Sequence, residues 1–338
     1  MLYRSLRFEP LMVFNHLSSF TNSLWVKLIK KIAARRLEAE KSLTILPRCF
    51  PTTAFKITST KDKVVVISNT FNNSNVRFYS PNTPSLRELR ILLGIMRLAI
   101  KACHYNEFDE GGALETTLSD LRNTAGIGSN LNNIKSSLAT LSKIRFTFED
   151  EEAPLLKYEQ LKDIDGRLRV LSLKLHPIFA KTVLNFVKKN ELGQQRPPYS
   201  IYYITDLMDL SDGDGARTAQ ALYIYYSSTI DQGGKSFKHS KTNLCEKIYN
   251  LVYKSNGKPV ISGGDRRQLS QGIRRLAEVG WLITIPTRDI YIAKRPKRHG
   301  KQRPKLLDET AINSKGTNQK NKGKKRPAIV RANQPNTV

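Results

Sequence analysis

Residues 265–296 read DRRQLSQGIRRLAEVGWLITIPTRDIYIAKRP. Leu269, Ile273, Leu276 and Ala277 recur at helical spacing and predict one apolar stripe on a helix from Asp265 to Val279. Arg267, Gln271, Arg274 and Arg275 fall on the opposite side. Gly280 stops the helix, and Trp281 begins a strand whose partner is Asp289–Ala293. A helix that buries one face and presents Arg and Gln on the other suits a DNA groove. Arginine grips guanine or phosphate, and glutamine reads adenine. The hairpin that follows reads as the wing of a winged helix.

The charge agrees with that reading. The 338 residues carry 56 Lys and Arg against 29 Asp and Glu, a formal net charge of +27. Such an excess speaks about partners rather than fold, with nucleic acid ahead of an anionic membrane surface. Cys49, Cys103 and Cys245 are far apart and form no C-x-x-C pair. Zinc fingers and a disulfide framework are therefore not expected, and a reducing cytoplasm is. Cys103 and Cys245 sit in apolar helical patterns and read as core residues. No apolar run is long enough to span a bilayer. Leu24–Leu37 reads as a short basic amphipathic helix with three competing uses: packing, contact with phosphates, or lying on a membrane.

Outward from the opening stretch, the pattern occurs twice. Residues 54–80 alternate like strands, with Asn72-Asn73 as a turn. Pro84 opens a buried helix ending near Cys103. Thr117 caps a helix over Leu118–Thr124, Gly126 and Gly128 break the chain, and a further helix runs from Asn130 to Lys143. Leu131, Ile134, Leu138 and Leu141 form its stripe; Asn132, Asn133, Ser136, Thr140 and Lys143 form its outer face. Helix, glycine turn and helix are the helix-turn-helix pattern. Strands follow at Arg145–Phe148, Leu155–Leu161 and Arg167–Leu173, then a helix over Ile178–Val187. Past a linker at Gln194–Pro198, helices are expected at Ile204–Leu210, Ala216–Ile230, Thr242–Leu251 and Asp265–Val279, with Asn256–Gly264 as a loop. The expected class is α+β, with tandem winged-helix domains at 54–193 and 194–297. A basic leader (1–53) precedes them, and a disordered basic C-terminal tail (298–338) follows. From 294 onward there are 14 Lys and Arg against 2 acidic residues, which predicts sequence-blind affinity for phosphates.

In such a protein the helix Asn130–Lys143 reads one groove face through Asn132, Asn133, Ser136 and Thr140, with Lys143 beside them. The helix Asp265–Val279 reads the next through Arg267, Gln268, Gln271 and Arg274, flanked by Arg266 and Arg275 on phosphates. Arg288 and Arg167, at the two hairpin tips, are candidates for minor-groove insertion. Each set also has a plain alternative, the polar face of a surface helix.

Catalytic readings find little support. The five histidines are isolated, so no His-x-His metal pair accompanies the Tyr225-Tyr226 doublet, which reads as core. Gly233-Gly234-Lys235-Ser236 ends like a phosphate-binding loop, but Thr229 stands where the motif needs glycine. Asp206, Asp209, Asp212 and Asp214 are explained by capping and a solvated loop. No enzyme activity, metal, cofactor or small-molecule substrate is expected.

From Leu86 to Lys297 the chain resembles the replication protein C family, initiators of IncQ-type plasmids. The matching segments, in order, are LRELRILLGIMRLA (86–99), LSDLRNTAGI…LATLSKIRF (118–146), DGRLRVLSLKLHPIFAKTV (165–183), ARTAQALYIYYSSTID (216–231), KTNLCEKIY (241–249) and LSQGIRRLAEVGWLITIPTRDIYIAKRPK (269–297). The resemblance implies tandem winged-helix domains that bind direct repeats (iterons) at a plasmid origin. It also implies opening of an adjacent AT-rich stretch and work with a plasmid-encoded helicase and primase; self-association and a part in plasmid copy control are expected besides. Residues 1–50 and the tail depart from the family pattern. A winged-helix transcriptional regulator and a non-enzymatic protein with a partner- or membrane-binding basic surface are the alternatives.

Overall fold

Local sequence signals set most of the element boundaries in the computed structural model, which describes residues 42–61, 63–128, 130–162, 168–188, 198–231, 234–287 and 289–296. Strand β1 (Leu43–Pro47) is followed by a 3-10 turn at Thr52–Ala54. Strands β2 (Val65–Phe71) and β3 (Ser74–Ser80) form a hairpin, with Asn72 and Asn73 both at positive φ, the backbone that a two-residue turn of matching twist requires. Helix α1 (Leu86–His104) starts at Ser85, whose side chain caps it while Glu88 reaches back to the Ser85 N–H at 2.6 Å. Thirteen of its residues are buried, which makes it a central helix rather than a surface one.

Strand β4 (Ala113–Thr116) leads to α2 (Leu118–Ala125), capped by Thr117 and ended by Gly126 in the left-handed region. Helix α3 (Leu131–Lys143) is capped by Asn130. Strands β5 (Arg145–Phe148), β6 (Glu151–Pro154), β7 (Leu156–Lys162) and β8 (Leu168–Leu175) follow, then α4 (Pro177–Lys188). The second half holds β9 (Tyr199–Tyr203), α5 (Ile204–Asp209), α6 (Ala216–Thr229), β10 (Phe237–Ser240) and α7 (Lys241–Ile248). It ends with β11 (Val252–Tyr253), β12 (Pro259–Val260), α8 (Gly263–Glu278), β13 (Leu282–Thr287) and β14 (Ile290–Lys294). The chain is thus a mixed α/β protein whose small sheets pair their strands antiparallel.

One succession occurs twice. In the first half it is α1, β4, α2, α3, β7, β8, with the sheet order β4-β8-β7. In the second it is α6, β10, α7, α8, β13, β14, with the order β10-β14-β13. Each time the last strand lies between the other two. The halves differ by insertions: β5 and β6 join the β2-β3 hairpin in a four-stranded sheet, and the hairpin β11-β12 stands between α7 and α8.

The halves share one hydrophobic cluster, from Ile45 to Ala293. Strand β1 pairs antiparallel with β9, from Leu43↔Tyr203 to Pro47↔Tyr199, and Ile45 and Leu46 are fully buried. Residues 43–47 therefore do not behave as part of a basic leader, because LTILP is apolar enough to be core. Phe50 then sits among Phe55, Phe78, Phe146 and Phe179, with ring centroids 5.2–6.0 Å apart. The following segment is stitched to the end of α7. Ile57 N–H donates to Ile248 O at 3.0 Å, and Lys56 Nζ donates to Glu246 O at 2.7 Å and Lys247 O at 3.0 Å. A cation on the terminal carbonyls of a helix also opposes its dipole favourably. All three cysteines are buried, and burial pushes the Cys49 thiol up to about 12 and the Cys245 thiol up to about 11.

Some expectations are corrected. Helix α8 begins at Gly263, two residues before Asp265, because Ser262 is the cap and Asp265 completes its capping box. Ala277 is exposed, and Gly272 takes its place on the buried stripe. Leu131 is 39% exposed rather than part of the α3 stripe. Helix α7 stops at Ile248, and Asn256-Gly257 is the turn of a hairpin rather than open loop. The helix expected at 24–37, the linker residues 194–197, the junction at 193–194, Arg167, Arg288 and the tail 298–338 lie outside the described residues.

Candidate nucleic-acid interface

Helix α8 is anchored by Leu269, Gly272, Ile273 and Leu276, which face α6. A Cβ on Gly272 would stand 2.7 Å from Thr218 Cγ2 and 3.0 Å from the Ala219 nitrogen, so glycine sets how closely the two helices cross. Arg266, Arg267, Gln268 and Arg274 stand exposed. Arg267 and Arg274 are seven residues apart, about 10 Å along one helix face. Gln271 and Arg275 are placed differently. Gln271 is half-buried and donates Nε2 to Asp214 Oδ2 at 3.3 Å. Arg275 is half-buried over Gly213, whose added Cβ would meet the guanidinium at 2.7 Å. The loop 211–215 covers that side of the helix, with Gly213 and Gly215 both at positive φ. The open edge of α8 is therefore Arg266, Arg267, Gln268 and Arg274, and among the described residues none of these arginines has an ion-pair partner.

Helix α3 is locked by Ser137, whose buried hydroxyl donates to Glu88 Oε1 at 2.7 Å. Asn132, Ser136 and Lys143 are exposed, while Asn133 and Thr140 are half-buried. Thr140 Oγ1 donates back to Ser136 O at 3.1 Å, which uses its proton within the helix. Ser136 and Thr140 line a cleft of about 580 Å³ that also reaches the start of α1 and of α6.

Further candidates escaped the sequence reading. The hairpin β11-β12 projects from the turn between α7 and α8, with Lys254 and Lys258 exposed and Tyr253 50% exposed. Lys254 N–H donates to Lys258 O at 2.9 Å across the Asn256-Gly257 turn, where Gly257 has φ +73°. The Asn-Gly pair is itself the available signal. Gly263 and Gly264 open α8 with no tight neighbour: a Cβ on Gly263 would meet nothing within 4 Å. Helical glycine costs about 1 kcal/mol relative to alanine, so internal packing does not explain either residue.

Tyr226 is fully buried, its ring 5.6 Å from Trp281, and burial pushes its hydroxyl's ionisation upward. His239 beside it is lowered to about 4, first by burial and then by Lys247. Asp206 is buried in the first turn of α5, and Asp214 receives Gln271. Among the described residues no group of three or more His, Cys, Asp or Glu is disposed to hold a metal ion. No described helix is long and apolar enough to cross a membrane.

No family model matches the sequence, and no curated protein matches it either. Solved structures to which the chain is similar include two of RctB domains. One, a crystal structure of selenomethionine derivatives of domains 2 and 3 of RctB, covers 73% of this chain and 99% of that one, at 13% identity and a TM-score of 0.44. The other, RctB domains 2-3 (residues 155-483 in RctB), covers 72% and 95%, at 13% identity and a TM-score of 0.45.

Proposed function

We propose that the chain is a tandem winged-helix protein that binds direct repeats in duplex DNA at a plasmid origin. The observation that carries this reading is the repeated succession helix-strand-helix-helix-strand-strand with one strand order, β4-β8-β7 and β10-β14-β13. In such a module the third helix enters a major groove and the closing hairpin lies beside it. Helix α3 then meets one groove face through Asn132, Asn133 and Lys143. Helix α8 meets the next through Arg267, Gln268 and Arg274, with Arg266 on phosphate. Arg167 and Arg288, read from the sequence alone as minor-groove candidates, lie outside the described residues.

Two modules sharing one core present two reading helices in a set relation, so a long site is held where one helix is too short. The action is mechanical: several copies on adjacent repeats bend the duplex, and an AT-rich stretch, whose pyrimidine–purine steps deform easily, opens. Work with a plasmid-encoded helicase and primase follows from the replication protein C resemblance, and self-association, copy control and a bacterial cytoplasmic location belong to the same reading. Catalysis plays no part in this reading. Footprinting on plasmid DNA flanking the coding region tests it, with protected blocks expected at helical-turn spacing over direct repeats. Protection confined to a promoter would favour a transcriptional regulator, and no protection at all would overturn DNA reading.

A further inference from the structure

The cleft beside α3 is built by both halves of the molecule. Its walls are the segment 57–61, the start of α1, the outer side of α3 and the start of α6. Four cations line it. Arg90 is already engaged, with Nη2 donating to Ala125 O at 3.3 Å and to Gly126 O, and Nη1 to Gln220 Oε1 at 3.4 Å. Lys61, Arg87 and Arg217 are exposed and have no ion-pair partner among the described residues. The one carboxylate of the lining is Glu88. It is held by the Ser85 N–H and hydroxyl and by the Ser137 hydroxyl, so it is turned to capping and to α3. Most of the remaining lining is hydroxyl-bearing, with few apolar side chains.

We propose that this cleft receives phosphates of the duplex backbone that runs between the two reading helices. The inference rests on the DNA-binding reading above and adds a site to it. Three free cations against one engaged carboxylate select an anion. The scarcity of apolar surface disfavours a nucleobase or a lipid chain, which need such walls. The choice of backbone over a small anion follows from position. Ser136 and Thr140 belong to the reading helix α3 and also line the cleft, so a duplex seated on α3 carries its sugar-phosphate strand across the mouth. Arg87 and Arg217 stand in the first turns of α1 and α6, the corresponding helices of the two halves. One strand therefore meets an equivalent arginine from each half.

The test is the Arg87→Ala/Arg217→Ala double variant of the full chain, bound to a mixed-sequence duplex of roughly 30 base pairs over a range of salt, a length that covers two or more helical turns. Both side chains are exposed, so an unchanged melting temperature is expected and verifies the fold. Loss of two phosphate contacts makes the slope of log affinity against log salt shallower by about 1.8, and weakens binding about tenfold or more near 0.1 M salt. A control variant at exposed cations away from the cleft, Arg77→Ala/Lys101→Ala, keeps the wild-type slope. A double variant with the wild-type slope overturns the cleft assignment and leaves the DNA reading standing. A wild-type chain that binds no duplex overturns both. Saturable binding of inorganic phosphate, lost in the double variant while the duplex slope is unchanged, would assign the cleft to a small anion instead.

Discussion

Replacing Gly272 by alanine tests the packing that aims helix α8. Taken alone, the change favours the helix, because alanine gains about 1 kcal/mol over glycine in a helix interior. The structure opposes that gain. The new Cβ would stand 2.7 Å from Thr218 Cγ2, 2.9 Å from Thr218 Cβ and 3.0 Å from the Ala219 nitrogen. The last of these is backbone and cannot rotate away, so α6 and α8 must separate. Overpacking of this kind costs about 1–3 kcal/mol, and rigid contact on α6 places Gly272 at the upper end. The net expectation is a loss of about 1–2 kcal/mol, which lowers the melting temperature by about 3–6 °C for a unit of this size. Thr218→Ser removes Cγ2 but keeps the hydroxyl that lies 3.0 Å from Tyr249 OH. In the Gly272→Ala background it should recover part of the loss. Gly264→Ala is the opposite control: its Cβ meets only Ser262 Oγ, at 3.5 Å, so stability should hold or rise. Scanning calorimetry of the four proteins decides the matter. A Gly272→Ala chain that melts at or above wild type, or one that Thr218→Ser does not help, refutes the close crossing of α6 and α8.

Arg274→Ala should cost about 1–3 kcal/mol of affinity on a repeat and relax preference at one base position; equal loss on all sequences, seen in competition binding, would make Arg274 a phosphate contact instead. Lys254→Ala/Lys258→Ala should leave base preference intact and make the salt slope shallower by about 1.8; an unchanged slope removes the β11-β12 hairpin from the interface. His239 is lowered to about 4 in the folded chain against about 6.5 unfolded. The unfolded state therefore binds the proton more readily between these values. The contribution, on the order of 3 kcal/mol at most, is complete above pH 6.5 and is lost as pH falls toward 4. Urea melts at pH 7, 5.5 and 4.5 should show a steeper decline for wild type than for His239→Gln, and parallel declines would rule this out. Truncation after residue 297 should weaken binding to every duplex alike and flatten the salt dependence; a change confined to specific sites would contradict a sequence-blind tail.

What was legible in the chain was local. Thr117 before Leu118 and the Asn72-Asn73 turn each act within three or four residues, where side chain and backbone meet whatever the rest of the fold does. The periodic apolar residues of α3 and α8, and the hairpin that follows α8, are signals of the same range. The caps at Ser85, Asn130 and Ser262 and the Asn256-Gly257 turn are equally local, and the residue types there carry the cue.

Tertiary structure decided what depends on residues far apart in sequence. The pairing of β1 with β9, and the Lys56 contacts on the end of α7, join positions about 150 and 190 residues apart. No periodicity reports such a pairing, because it is set by which apolar surfaces remain to be covered after the helices form. The same holds for the interface. Helical spacing put Gln271 and Arg275 on the polar face of α8, yet a glycine-bearing loop from another part of the chain folds over them and leaves Arg266, Arg267, Gln268 and Arg274 to solvent. A helical wheel shows which side is polar, and only the packed molecule shows how much of that side remains open.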